Sequence, residues 1–252
     1  MLTTILLMLA GMAAGFLNTF AAGGSIIALP AMIALGLHPT LANATNHVPV
    51  LLGFAAAVWR FHRAGRMPWK EGIKVSFPML GGSLAGAFTA SYINDRYTNY
   101  VIFAALLLAL VVILAKPERW FRDCQQEQPI NTGTWVLFLS VIVGYWAGLI
   151  VIGSGILMLL LLVLAANFRI PEANAIKVLS VGIATAVAVI VFSVKGEIKW
   201  GWAITVSAGS VAGSLLAARF VMRSNVGHWV FGVILLVLVV EIARLGFRIF
   251  FP

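Results

Sequence analysis

The sequence predicts an all-α polytopic membrane protein. It is read as two homologous helical repeats, inverted relative to one another, each with a Gly-interrupted broken or re-entrant helix. Three observations carry this. The chain is 62% hydrophobic and only 10% charged, with mean hydropathy +1.02, where a soluble domain carries about 25% charged residues. Apolar runs of membrane-spanning length recur from end to end. The order of motifs in the first half returns in the second. The division is residues 1–116 for the first repeat, 117–133 for a connecting loop and 134–252 for the second repeat.

Leu2 to Phe20 is the first apolar segment. It lacks the basic start of a signal peptide and is read as the first span. It is interrupted at Gly23-Gly24 within FLNTFAAGGSIIALP, and Ser25 to Leu37 continues it. One broken crossing, two short crossings and a re-entrant hairpin all fit. A polar island follows, His38 to His47, and then an apolar run from Val48 to Trp59. Arg60 to Lys74 is the most basic stretch and is expected on the cytoplasmic side. Val75 to Tyr92 is a Gly-rich span. Asn94 to Asn99 is a turn, and Tyr100 to Ala115 is an aliphatic span. Lys116 to Thr134 is the longest polar loop and holds the lone cysteine, Cys124.

The second half runs Trp135 to Ile152, a break at Gly153-Ser154-Gly155, and Ile156 to Ala166. A polar island, Asn167 to Lys177, comes next. Spans at Val178 to Val194, Gly201 to Ala218 and His228 to Phe251 follow, with turns between them. Gly11-x-x-x-Gly15 matches Gly144-x-x-x-Gly148. Ala42-Asn43-Ala44 matches Ala173-Asn174-Ala175, each shortly after a proline. Gly65 and Trp69 match Gly196 and Trp200, and Gly82 to Gly86 matches Gly209 to Gly213. One match would be chance; the same order throughout indicates duplication. Counting Lys and Arg does not choose between inverted and parallel halves. The hairpin-like breaks favour inversion.

The breaks are the candidate site. Backbone freed at membrane depth must be satisfied by protein, water or ligand. A helix that starts there offers unpaired N–H groups and the positive end of its dipole, which suits an anion. Asn18, Thr19, Gly23, Gly24 and Ser25 form the first half of the site; Gly153, Ser154 and Gly155 form the second. The islands add Asn43, Thr45, Asn46 and Asn174 as hydrogen-bond donors and Lys177 as a charge. Lys177 is alternatively a snorkelling side chain or a partner of Glu172. His47 is a candidate for proton coupling, or a histidine hydrogen-bonded at a helix end. Gly11, Gly15, Gly144 and Gly148 are read as packing positions. Of the eight acidic residues, only Glu241 lies inside an apolar span. Arg244 stands three residues on, so the two read as a structural ion pair. That pair is expected near a membrane boundary, so no buried acid is expected near the breaks, which favours a site built to accept negative charge.

Net charge is +9, but the basic residues sit in short loops and act as a topology signal, so no nucleic-acid partner is expected. No metal-ligand spacing, nucleophile–base arrangement or phosphate loop occurs. Neither an enzyme, a metal nor a cofactor is expected.

The order Gly15-Phe16-Leu17, Gly23-Gly24-Ser25, Pro30, Ala42 to Asn46 and Gly-rich spans, repeated once, resembles the TauE/SafE family, the sulfite exporters. The resemblance covers nearly the whole chain. It implies a multi-pass protein of a bacterial inner membrane that transports small sulfur-containing anions such as sulfite or organosulfonates. The partners it implies are the anion and the bilayer, with oligomeric state open and a homodimer among the options. The second copy departs from the pattern: no proline matches Pro30, and its island reads ANAIK. An anion channel and a non-transporting scaffold or assembly protein are the alternatives.

Overall fold

A computed structural model describes residues 2–90, 95–115, 129–150, 152–223 and 226–250. Most of the loop expected from Lys116, with Cys124, and the start of the turn near Asn94 lie outside the described residues. Every regular element among the described residues is a helix: α1 (Leu2–Phe20), α2 (Ser25–Ala34), α3 (Pro39–Arg63), α4 (Trp69–Ala90), α5 (Asp95–Ala115), α6 (Thr134–Leu149), α7 (Ser154–Leu160), α8 (Ile170–Val194), α9 (Trp200–Val221) and α10 (Val226–Phe250). A π-helical turn, Leu161–Ala165, prolongs α7. Among the described residues, five helices are long and apolar enough to cross a membrane: α1, α3, α8, α9 and α10. The protein is an all-helical, polytopic membrane protein.

Most of each polar island is helical: α3 takes in Pro39 to His47, and α8 takes in Ile170 to Lys177. Pro39 sits at the start of α3 and Pro171 in the first turn of α8. There the missing N–H costs nothing, and the fixed φ favours the first turn. These parts become the opening turns of two long helices, and Thr45, Asn46, His47, Asn174 and Lys177 are buried in the bundle. The basic stretch is likewise partly helical: α3 runs through Arg63, and α4 begins at Trp69. α2 has 10 residues, so it rises about 15 Å against a hydrocarbon core of about 30 Å. It cannot cross alone, which removes two short crossings from the three options for this segment.

Glycines bring the long helices together. α1 lies along α9, and α6 along α4. Gly11 and Gly15 rest on the backbone of Val206 and Ser210, while Gly209 and Gly213 rest on Met8 and Met12. Gly144 and Gly148 rest on Met79 and Ser83, while Gly82 and Gly86 rest on Val141 and Tyr145. A Cβ at any of these would strike a partner carbonyl. Each Gly-x-x-x-Gly of one half thus faces a Gly-x-x-x-Gly of the other. Hydroxyls add to the contact, because lipid supplies no hydrophobic drive between helices. Ser210 donates to the Pro49 carbonyl at 2.7 Å, and Ser76 donates to Ser180 at 2.8 Å. α3 and α8 pack on each other, and α10 packs on α5. Most of α8 is buried, including Asn174, Lys177, Ser180 and Thr185.

Candidate functional site

The first break is built by Asn18. After α1 ends at Phe20, the N–H groups of Ala21 and Ala22 both bond the Leu17 carbonyl. Ala22 then takes φ 71° and Gly23 φ 139°, a region that glycine enters freely and alanine does not. The Asn18 Oδ1 accepts from the N–H of Gly24 at 2.8 Å and of Gly23 at 3.3 Å. Two backbone donors expected to face a ligand are therefore already satisfied by protein, which corrects the picture of a bare helix start. Gly24 itself packs against the Ala14 carbonyl, so the chain doubles back here.

That arrangement settles the polarity of two side chains. Since Asn18 Oδ1 takes the backbone donors, its Nδ2 group remains to donate. Asn46 Nδ2 donates to Ser25 Oγ at 3.1 Å, which leaves the Ser25 hydroxyl proton free to donate as well. Ser25 and Asn46 are both buried.

The second break is held differently. Trp146 Nε1 donates to the Ile152 carbonyl at 2.8 Å, and the Trp146 carbonyl accepts from Ile150 N–H at 2.8 Å. Ile150 is extended, and Gly153 takes φ 76° before α7 begins.

The two breaks touch. A Cβ on Gly155 would lie 2.5 Å from the Cβ of Ala22. Between them is a small cavity lined by Asn18, Gly23, Ser25, Gly153, Ser154 and Gly155, closed on one side by Val50 and Phe54. Its volume, about 10 Å³, is room for about one water. The described state is closed, and an anion of several oxygens enters only if the breaks separate.

Lys177 stands behind this cavity. It is fully buried, and its Nζ donates to the carbonyls of Asn18 and Thr19, each at 2.9 Å, and to Asn174 Oδ1 at 2.6 Å. It therefore neither snorkels nor pairs with Glu172, whose Oε2 is buried without a hydrogen-bond partner. All three of its N–H bonds go to protein. A cation at a helix C-terminus is favourable, and Lys177 ties α8 to the end of α1. Its charge reaches the cavity through Asn18 and not by direct contact.

The remaining sequence candidates do not line the cavity. The Thr45 hydroxyl oxygen accepts from Lys199 N–H at the start of α9. Thr19 is buried with its hydroxyl unpartnered, and so are Asn43 Oδ1 and Asn174 Nδ2. His47 lies beside the Asn43 carbonyl at 2.9 Å and the Ala147 carbonyl at 3.4 Å, with its ring on Phe192. It joins α3 to α6 near the second break without facing the cavity.

One residue was misplaced from sequence. Glu241 is 1% exposed and lines a second small cavity with Gly23, Ser25 and Gly153. A buried acid therefore does stand near the breaks. Its signal was in plain view: an ionisable residue inside an apolar span is a functional candidate by default. The Glu241–Arg244 pair does form, at 3.4 Å. Trp146 gave no such signal, since an indole donor is needed there only because Ile152 leaves the helix.

These features define a membrane transporter: a polytopic helical bundle whose two helix breaks meet around a closed polar cavity. The family model for the sulfite exporter TauE/SafE matches residues 7–242, and the chain belongs to this family. It is 26% identical over 220 residues to a probable membrane transporter protein, ORF9, of Sinorhizobium sp, covering 87% of this chain and 83% of that one. It is 24% identical to a probable membrane transporter protein of Haemophilus influenzae, covering 85% and 84%. Identity is also 24% to the probable membrane transporter protein YfcA of Escherichia coli K12, covering 85% and 79%. No solved structure matches the chain.

Proposed function

We propose that this transporter exports small sulfur-containing anions, such as sulfite or organosulfonates, across a bacterial inner membrane. The anion binds between the two breaks. The observation that carries this is the polarity of the cavity wall: Asn18 and Ser25 are each held, by Gly24 N–H and by Asn46, so that a donor remains for a ligand. The Lys177 ammonium behind Asn18 supplies positive charge. Donors with a buried cation suit an oxyanion or a sulfonate. The closed cavity favours a carrier that must rearrange over an open channel. Because α1 is locked on α9 and α6 on α4, the bodies that rock to alternate access are these cross-half pairs and not the two sequence halves. An inside-negative potential favours outward movement of anions by about 2.3 kcal/mol per charge per 100 mV.

The test is flux. Inside-out membrane vesicles carrying the protein, supplied with sulfite, sulfoacetate or taurine, should accumulate at least one of them faster than control vesicles. Acetate and chloride should not be accumulated. Equal rates with and without the protein for every sulfur compound would reject the reading.

A further inference from the structure

We propose that Glu241 is the proton-binding site of this transporter, so that a proton moves together with the anion. The proposal rests on the anion-carrier reading above for its coupling, but not for the proton site itself.

Glu241 is the one acid within the described part of α10, and it is buried to 1% exposure. Neither carboxyl oxygen accepts a hydrogen bond. Around it are Leu106 of α5, Ile156 of α7, Val237 and Leu238 of its own helix, and Gly23 and Gly153 of the breaks. Among the described residues lining this cavity from α2, α5, α7 and the breaks, no other side chain is titratable. Among the described residues, the charge within reach is Arg244 on the same helix, whose Nε stands 3.4 Å from Oε2 and whose side chain is 41% exposed. Lys177 of α8 is committed to the end of α1.

A carboxyl group among aliphatic side chains needs a cation or a proton. The cavity, about 10 Å³, offers too few oxygens to coordinate a metal ion. A proton needs only one. The chemistry is a single reversible O–H bond: a carboxylate oxygen takes a proton from water on one side and returns it on the other. Arg244 is the partner of the ionised form, and the proton replaces it.

Coupling follows from shared walls. Gly23, Ser25 and Gly153 line both the Glu241 cavity and the polar cavity. An anion and an ionised Glu241 repel across a thin, water-poor partition. Protonation removes that repulsion, so each ligand favours the other. A doubly charged anion with one proton still carries net negative charge, so export down an inside-negative potential remains favourable.

Two measurements test this. The first needs no substrate: infrared difference spectra of the purified protein across a pH titration. The wild type should show a protonated-carboxyl C=O band that is absent from Glu241→Gln and retained in Glu71→Gln. A titration identical in wild type and Glu241→Gln would overturn the proton site. The second uses proteoliposomes with sulfoacetate, whose charge is constant between about pH 6 and 8. A pH gradient, acid on the loading side, should raise accumulation several-fold for wild type and for Glu71→Gln. It should give no rise for Glu241→Gln. Accumulation that ignores the gradient in the wild type would overturn the coupling. If the infrared band is lost in Glu241→Gln but no sulfur anion moves, the anion reading fails and the proton site stands.

Discussion

The ammonium of Lys177 donates at 2.9 Å to the main-chain carbonyl of Asn18, 159 residues earlier in the chain. The same Asn18 folds its side chain over the N–H groups of Gly23 and Gly24. One lysine on α8 therefore fixes the residue that shapes the first break. Lys177→Met keeps the length and removes the donors. It leaves the carbonyls of Asn18 and Thr19 buried and unbonded, at about 1–3 kcal/mol each. A lower thermal transition in detergent is expected, with sulfur-anion affinity reduced at least ~10-fold by loss of both charge and geometry. Unchanged affinity in a folded Lys177→Met protein would separate the lysine from the site.

Gly155 and Ala22 set how closely the breaks approach. Gly155→Ala places a methyl 2.5 Å from the Ala22 Cβ, and overpacking of this kind costs about 1–3 kcal/mol. Transport should fall sharply. Ala22→Gly removes the opposing methyl and suits φ 71°, so the double variant should recover much of the loss. Thermal transitions of the four proteins in one mutant cycle check this, with a coupling above about 0.5 kcal/mol expected.

The interlocked glycines should be intolerant in a position-specific way. Gly86→Ala drives a methyl into the Tyr145 carbonyl, whereas Gly81, in the same helix, has nothing within 4 Å. Gly86→Ala should destabilise by about 2 kcal/mol. Gly81→Ala should be neutral or stabilising by up to about 1 kcal/mol, from helix propensity alone. Melting curves of the two variants decide it.

Asn46 acts on the cavity through Ser25. Asn46→Ala frees the Ser25 hydroxyl to turn its proton elsewhere, so KM for the transported anion should rise about 10-fold with a smaller change in maximal rate. Ser25→Ala should give a loss of the same size, and the double variant little more. Independent, additive losses would show that Asn46 does not work by orienting Ser25.

Much of the fold was legible because membrane helices announce themselves by length and composition. α1 runs as expected, from Leu2 to Phe20. The starts of α3 and α8 were not, because the polar runs that hold Asn46 and Lys177 find their partners on other helices. The packing glycines were legible as a type, but not that Gly15 would meet Ser210 or that Gly148 would meet Ser83. At the site, the breaks were visible from Gly-Gly and Gly-Ser-Gly. Three things depend on three-dimensional neighbours. These are the capture of backbone donors by Asn18, the turning of Lys177 toward α1 and the position of Glu241 beside the breaks. Thr45 shows the converse: its residue type fitted an anion site, and the structure spends it on Lys199 N–H.

The most direct measurement is thermal stabilisation of the purified protein by sulfite, sulfoacetate and taurine, against acetate and chloride, in wild type and in Asn18→Ala/Ser25→Ala. A ligand at ~100 times its dissociation constant stabilises by ~2.7 kcal/mol, a shift that is easily read. The account predicts that at least one sulfur anion stabilises the wild type and that the double variant, still folded, loses the shift. Equal stabilisation of both proteins, or none by any sulfur anion at saturating concentration, would contradict a site between the two breaks.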